Sequence, residues 1–271
     1  MRDVLVHLRD ITRWGPSGAY ATDLAARLNG TVTGVYIEPL PVPVAVPGAG
    51  ADIAVAAQGR VRPDRLRAAE SLAAWATTMG ARQAAWQIAE GDAPRVLARM
   101  SAWHDLIMLD RDPDEPAASV RELGDIVVAS RAPVIVLPAR RREARLDCIA
   151  LAWNHSEQAL AAIHAARPLL AHATRIVVLE GGTVDMHAGE GLNPAFDLAR
   201  YMAWQGFGIE REAIAGESAA AGELLVQAAR RQRADLLVMG AYGRSRLSEW
   251  ALGGATRHVL NHTRLPVFMR H

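Results

Sequence analysis

A glycine-rich segment that begins at Gly240 has the residue types that bind phosphate. Gly240 and Gly243 carry no Cβ, so their backbone can approach a ligand closely, and Gly253 and Gly254 precede a helix predicted to begin near Ala255. The free amides at the start of such a helix attract an anion. Because the segment follows an apolar run that predicts a strand, it predicts a phosphate site at that strand's carboxyl end.

The basic residues exclude several classes of enzyme. All 30 of the lysine-plus-arginine residues are arginine. A Walker-type phosphate loop, a protein kinase and a Schiff-base enzyme each need a lysine. No Ser-His-Asp elbow is present either, so no catalytic residue is predicted. The single cysteine, Cys148, excludes an intramolecular disulfide and opens an apolar run typical of a buried strand.

No metal site is predicted. His258 and His262 are four residues apart on a predicted helix, a spacing that binds metal, but no third ligand accompanies them. Acidic residues follow the strand that ends at Leu109, and they favour an exposed acidic loop over a cation site. These acids are Asp110, Asp112, Asp114 and Glu115.

Tryptophans at predicted helix positions are expected to pack against the rest of the protein. They include Trp75, Trp103, Trp204 and Trp250. Trp153 is the exception, because it lies at the carboxyl end of a predicted strand, where a ligand would contact it.

Strand-like and helix-like runs alternate along the whole chain, and their order is repeated. Matched landmarks lie 125, 130 and 133 residues apart: Gly91 with Gly216, Asp105 with Asp235, and Pro133 with Pro266. Apolar strands that alternate with helices imply parallel sheets covered on both faces. The sequence therefore predicts two tandem doubly wound, Rossmann-like α/β domains, 1–139 and 146–271, each with a five-stranded parallel sheet. An arginine-rich stretch, 139–145, is expected to form an exposed linker.

The last strand of each domain is apolar, and an uncovered apolar edge strand invites association. We therefore expect the strands at 134–137 and 267–269 to meet at the centre of the molecule. The two domains would then pack about a pseudo-twofold axis.

The glycine spacing resembles that of the universal stress protein family. In that family a Gly, two residues, a Gly, nine residues, a Gly and then Ser or Thr follow the fourth strand directly. Gly240, Gly243 and Gly253 match, whereas Gly254 stands where the family has Ser or Thr. The resemblance covers both halves, but in the first half it is carried by the layout of elements, because the two leading glycines are missing after Leu109. It implies a degenerate, structural first copy.

The resemblance also implies a ligand. In nucleotide-binding members of the family, an acidic residue after the first strand contacts adenine, and the glycine segment holds the ribose and phosphates. This implies ATP or another adenine nucleotide in the second domain, with Mg²⁺ only if ATP is bound. Asn154 takes the place of the acidic residue, and Thr256 could supply the hydroxyl that Gly254 lacks. The residues implied are Ala152, Trp153, Asn154, Met239, Gly240, Tyr242, Gly243, Gly253, Gly254, Ala255 and Thr256.

The function implied is a stress-response protein that acts by binding or signalling rather than by turnover. Two alternatives stay open, a slow ATPase and a ligand-free scaffold for an unidentified protein partner. A binding protein is favoured over an enzyme because no nucleophile-activating pair is visible.

The net charge and the hydropathy of the chain limit which partners it is expected to bind. The formal net charge of +1 gives no nucleic-acid footprint. No apolar run approaches the roughly 20 residues of a membrane span. We therefore expect a soluble, cytoplasmic protein that binds neither nucleic acid nor membrane, and a homodimer stays open.

Overall fold

Helices and strands alternate in both halves of the chain. The computed structural model describes residues 1–9, 14–38, 67, 70, 74, 76–111, 116–138, 143–181, 197–216, 220–241 and 254–271. The first half contains β1 (Asp3–Leu8), α1 (Gly15–Arg27), β2 (Thr31–Glu38), β3 (Gln83–Glu90), α2 (Ala93–Met100), β4 (Leu106–Asp110), α3 (Pro116–Ala129) and β5 (Val134–Leu137). The second half contains β6 (Cys148–Trp153), α4 (Glu157–Leu170), β7 (Arg175–Glu180), α5 (Leu198–Trp204), β8 (Glu210–Ala213), α6 (Ala221–Arg231), β9 (Leu236–Gly240), α7 (Gly254–His262) and β10 (Val267–Arg270).

The strands form one continuous sheet in the order β3-β2-β1-β4-β5-β10-β9-β6-β7-β8. Neighbouring strands within each half are parallel, so each half has the five-stranded parallel sheet that the sequence predicts. At the centre β5 and β10 run antiparallel, with Phe268 opposite Ile135 and Met269 opposite Val134. The predicted meeting of the two last strands is confirmed, and the strand order on either side of it fits a pseudo-twofold axis.

Helices cover both faces of this sheet. On one face Tyr20 of α1, Ile163 of α4 and Met202 of α5 pack into a buried core. On the other face Leu123 of α3 and Val259 of α7 belong to a second core. The double cover explains why the central strands are almost continuously apolar.

The end of the predicted linker is buried. Ala144 and Leu146 have 0% and 4% of their surface exposed, and the backbone N–H of Ala144 donates to Asp23 Oδ2 at 2.8 Å. The expectation of an exposed linker through residue 145 is therefore wrong at Ala144, because this small side chain packs into the core while the Asp23 carboxylate holds its backbone. Residues 139–142 lie outside the described residues.

Candidate functional site

The carboxyl ends of β6 and β9 lie side by side, because these strands are parallel neighbours. Trp153 ends β6 and Gly240 ends β9. Ala152 and Met239, one residue earlier on each strand, are buried. In open α/β sheets this edge is where ligands bind. The fold thus brings together predicted site residues that lie far apart in the sequence.

The turn from β6 into α4 is held by Asn154 and Ser156. The Oδ1 of Asn154 accepts from Ser156 N at 3.3 Å and from Ser156 Oγ at 2.6 Å. In turn Ser156 Oγ accepts from Ala159 N at 3.1 Å and caps the helix, as its position at the helix start predicts. Because the oxygen of Asn154 already serves this turn, its amide nitrogen is the group left to meet a ligand.

A row of polar and charged side chains follows this turn across the edge. His155 has a backbone φ of 60°, a conformation that few residues other than glycine adopt. Its Nε2 lies 3.5 Å from Glu180 Oε1, and Arg211 Nη2 lies 2.6 Å from Glu180 Oε2. The ring of His155 also contacts that of Trp153, with centroids 5.2 Å apart. Glu180 is therefore engaged by cationic and imidazole groups.

Sequence reasoning missed two residues of this edge, His155 and Glu180. Both carried a signal. His155 lies between Asn154 and the capping Ser156, and Glu180 is an acid at the end of a predicted strand, where side chains face the ligand edge.

Gly240 allows close packing of protein against protein. A Cβ at this position would lie 2.6 Å from Ala159 N and 2.6 Å from the carbonyl carbon of Gln158, both in the first turn of α4. Backbone atoms at that distance cannot give way cheaply. The absence of a side chain at Gly240 is therefore required by the β9–α4 contact, whatever its role toward a ligand.

The start of α7 is the predicted phosphate end. Gly254 is exposed, and a Cβ there would meet no atom of the described residues within 4 Å. Ala255 is half-buried, and Thr256 is buried with 5% of its surface exposed. The predicted site residues Tyr242, Gly243 and Gly253 lie outside the described residues.

Helix α7 is seated closely on α6. A Cβ on Gly222 of α6 would lie 2.9 Å from Ala255 O and 2.6 Å from the Cβ of His258. Gly222 was not singled out by its sequence, although small residues at helix crossings let backbones approach. The contact fixes the first turn of α7 against its neighbour.

The corresponding edge of the first domain carries an acid. By strand register Asp110 occupies the place of Gly240. Burial raises the pKa of the Asp110 carboxyl, although Ser17 in the first turn of α1 and the charge of Arg9 oppose this shift. Burial and Arg9 lower the pKa of nearby His7 to about 4, so it is neutral at pH 7. A carboxylate here would repel phosphate.

A cavity of about 400 Å³ lies away from this edge. Its lining includes His164, Arg167, Phe207 and three neighbouring residues. Since α4 starts at the ligand edge and runs away from it, the second half of that helix is remote from the predicted site. The cavity does not belong to that site.

Two predictions about tryptophan are wrong. Trp103 is 84% exposed and Trp204 is 67% exposed, because each lies on the solvent side at the end of a helical turn. The guanidinium of Arg200 lies over the Trp204 ring, 5.0 Å from its centroid. Trp75 and Trp250 lie outside the described residues.

The two histidine side chains of α7 contact each other. The rings of His258 and His262 stack with centroids 4.1 Å apart, and His262 Nδ1 lies 2.9 Å from His258 O. Among the described residues no group of three or more His, Cys, Asp or Glu is placed to hold a metal ion. The acids at 112, 114 and 115 lie outside them.

Cys148 is buried, as its apolar surroundings predict. Burial raises the pKa of its thiol, against the opposing effect of Arg175. A thiol with a raised pKa is a poor nucleophile, which fits a structural role.

These features define a tandem α/β protein, and comparison with known proteins identifies its family. The model of the universal stress protein family matches residues 106–271, more than half of the chain. The chain therefore belongs to the universal stress protein family, as its glycine spacing suggested. Membership supports a role in stress response. No curated protein sequence matches the chain.

Solved structures share the fold along the whole chain. A universal stress protein from Archaeoglobus fulgidus DSM 4304 matches with a TM-score of 0.68 and 13% identity, over 99% of this chain and 95% of that chain. A protein of unknown function from Pseudomonas aeruginosa PAO1 matches with a TM-score of 0.63 and 16% identity, over 99% and 92%. At these identities the likeness concerns the fold.

No helix in the described ranges is long and apolar enough to cross a membrane.

Proposed function

We propose that the C-terminal domain binds an adenine nucleotide and that the protein acts in stress response by binding or signalling rather than by turnover. The observation that supports this most directly is the segment between β9 and α7. Gly240 begins the family's glycine spacing there, and α7 begins at Gly254, which is exposed. The first N–H groups of a helix have no partner within it, so they would hold the phosphates.

The adenine would lie toward β6. Trp153 offers an aromatic surface, and the amide nitrogen of Asn154 offers a donor to the base. Glu180 is occupied by Arg211 and His155 and would not supply a free carboxylate. Recognition at this end would therefore rest on stacking and neutral hydrogen bonds.

The phosphate charge would be met without lysine. Backbone amides and the dipole of α7 supply partial positive charge. Arg244 and Arg246 lie in the intervening segment, outside the described residues, and either could add a full charge. Mg²⁺ would bind only if the nucleotide is ATP. An unidentified protein partner would recognise the nucleotide-bound form of the protein.

Two measurements test the proposal. Mass spectrometry of small molecules released from the purified protein should identify an adenine nucleotide, and calorimetric titration with ATP and AMP should give one site per chain. Two equivalent sites would contradict the assignment to one domain. An absence of binding at millimolar nucleotide would replace the proposal with a ligand-free scaffold, and repeated phosphate release with Mg²⁺ would replace it with a slow ATPase.

A pair of variants locates the site. In Gly243→Val a side chain blocks close approach of the backbone to the ligand, so binding should be lost while the protein stays folded. Gly208→Val is the matched control, because Gly208 is exposed and a Cβ there meets no atom of the described residues within 4 Å. Equal affinity in the two variants would show that the glycine segment does not form the site.

A further inference from the structure

A guanidinium of the first domain reaches the helix that starts at the proposed phosphate site. Arg111 follows β4, and its Nη1 donates to Leu260 O at 2.5 Å and to Asn261 O at 2.9 Å. Both carbonyls belong to the last turn of α7, in the second domain. This is a contact between residues about half the chain apart.

The contact satisfies groups that the helix itself cannot. The last four carbonyls of a helix lack an internal partner, and the helix dipole places negative charge at that end. Partial burial lowers the pKa of the Arg111 guanidinium, which stays charged at neutral pH. A half-buried cation is also less screened by salt than an exposed one.

The antiparallel pairing of β5 and β10 explains why Arg111 lies here. Val267, at the start of β10, pairs with Val136 near the end of β5. The end of α7, which leads into β10, is therefore brought beside the carboxyl edge of the first domain. The backbone N–H of Arg111 donates to Leu137 O at 3.1 Å and keeps the residue at that edge.

The second domain has no arginine at the corresponding position. By strand register the counterpart of Arg111 in the second domain is Ala241, whose methyl group cannot donate to the end of α3. At the same edge Asp110 replaces the glycine of the second domain. Two consecutive residues of the first edge thus differ from the second in ways that favour support over ligand binding.

We propose that Arg111 is a positioning residue through which the N-terminal domain holds α7, and with it the phosphate-binding end of the second domain. The inference rests on the proposed nucleotide function. Helix α7 has nine residues and is about 13 Å long, so a displacement of its last turn is carried along continuous helix to its first. Its first turn packs against Gly222, and its last turn is held by Arg111 from the first domain together with Arg230 of α6, which donates to His262 O at 3.2 Å. Loosening the last turn should therefore shift the amides at the first.

The test compares Arg111→Gln, Arg111→Lys and Arg95→Gln in the full chain. Arg95 is 91% exposed in the same domain, so Arg95→Gln removes one charge without touching α7. Hydrogen exchange of the amides at 259–263 is measured without ligand, and ATP affinity is measured by calorimetry. Circular dichroism checks that each variant is folded.

We expect exchange in the last turn of α7 to rise roughly tenfold in Arg111→Gln, because two charged hydrogen bonds are lost. ATP should bind roughly two- to fivefold more weakly, since the change acts through the helix end. Arg111→Lys should keep most of both properties, and Arg95→Gln should match the parent. If Arg111→Gln does not fold, Arg111→Lys carries the comparison, with smaller changes of the same sign.

Three outcomes overturn the inference. These are unchanged exchange in Arg111→Gln, faster exchange with unchanged ATP affinity, and a lysine variant no better than the glutamine variant. If the parent itself binds no ATP, the proposed function fails, and the exchange measurement alone decides whether Arg111 holds α7.

Discussion

At the end of β9, Gly240 lies against the first turn of α4, and the space between them is too small for a side chain. The residue does not have a positive φ, so the cost of a substitution here comes from packing rather than from backbone strain. Gly240, although it belongs to the family's glycine motif, is therefore required for packing whether or not a ligand binds.

Gly240→Ala should lower the free energy of unfolding by about 1–3 kcal/mol, because the new methyl group overlaps backbone atoms of α4. Gly254→Ala is the matched control, since its methyl group would meet no atom of the described residues, and its stability should stay within about 0.5 kcal/mol of the parent. Urea unfolding of the three proteins measures both. Equal stabilities would show that the β9–α4 contact is looser than described.

Asp110 makes stability depend on pH. Its folded pKa is raised above the unfolded value, so the folded protein binds this proton more tightly. The resulting stabilisation is present at pH values below the unfolded pKa and is lost as the pH rises through the folded pKa.

Asp110→Asn removes this titration. Its stability relative to the parent should therefore increase as the pH is raised from about 4.5 to 7.5, above the unfolded pKa of an aspartate. Urea unfolding at several pH values tests the sign. A relative stability that is constant, or that falls with pH, would mean that the hydrogen bonds from Ser17 and the charge of Arg9 outweigh burial.

At the scale of elements, α4 is stabilised by a cap at its amino end and by a side-chain hydrogen bond at the proline inside it. Pro168 lies inside the helix and cannot donate to the carbonyl of His164. The Nε of Arg167 donates to that oxygen at 3.3 Å instead. The His164 carbonyl therefore has a partner. The N–H groups at the amino end of α4 need partners as well, and Ser156 caps the helix there.

Ser156→Ala should cost about 1 kcal/mol of stability through loss of the cap on Ala159 N. Ser156→Asp keeps an acceptor at the same position and should retain most of the stability. Thermal unfolding of the two variants gives the comparison. If the aspartate variant is as unstable as the alanine variant, the hydroxyl serves the Asn154 turn and not the helix cap.

At the scale of the whole molecule, the β5–β10 pair joins the two domains into one sheet. Phe268 has 0% of its surface exposed and lies opposite Ile135 of the other domain. The two halves therefore share a core at their junction. We expect them to unfold together, since separation would leave two apolar strands without partners.

Phe268→Ala should lower the free energy of unfolding by about 3–5 kcal/mol, the range for an aromatic ring removed from a core. Trp204→Ala is the control, because 67% of that residue is exposed, and the effect should be within about 0.5 kcal/mol. Chemical unfolding followed by fluorescence and by circular dichroism tests both the loss and the single transition. Two separated transitions in the parent would show that the domains unfold independently.

The sequence by itself determined the class of fold and the central pairing. Alternating apolar strands and helices report burial directly, since a strand covered on both faces must be apolar along its length. The strands at 134–137 and 267–269 could be matched because an apolar edge requires a cover. The start of α4 was predictable for a similar reason, since capping by Ser156 is a local property of the chain.

The tertiary structure decided which side chains face water and which distant groups meet. The exposure of Trp103 and Trp204 depends on which side of a helix end faces solvent, and the burial of Ala144 depends on α1, more than a hundred residues away. The contact of Arg111 with Leu260 and Asn261 arises because antiparallel pairing brings the end of α7 to the edge of the other domain. Such contacts are fixed by how the two domains are joined, and residue types and spacing within one segment do not encode them.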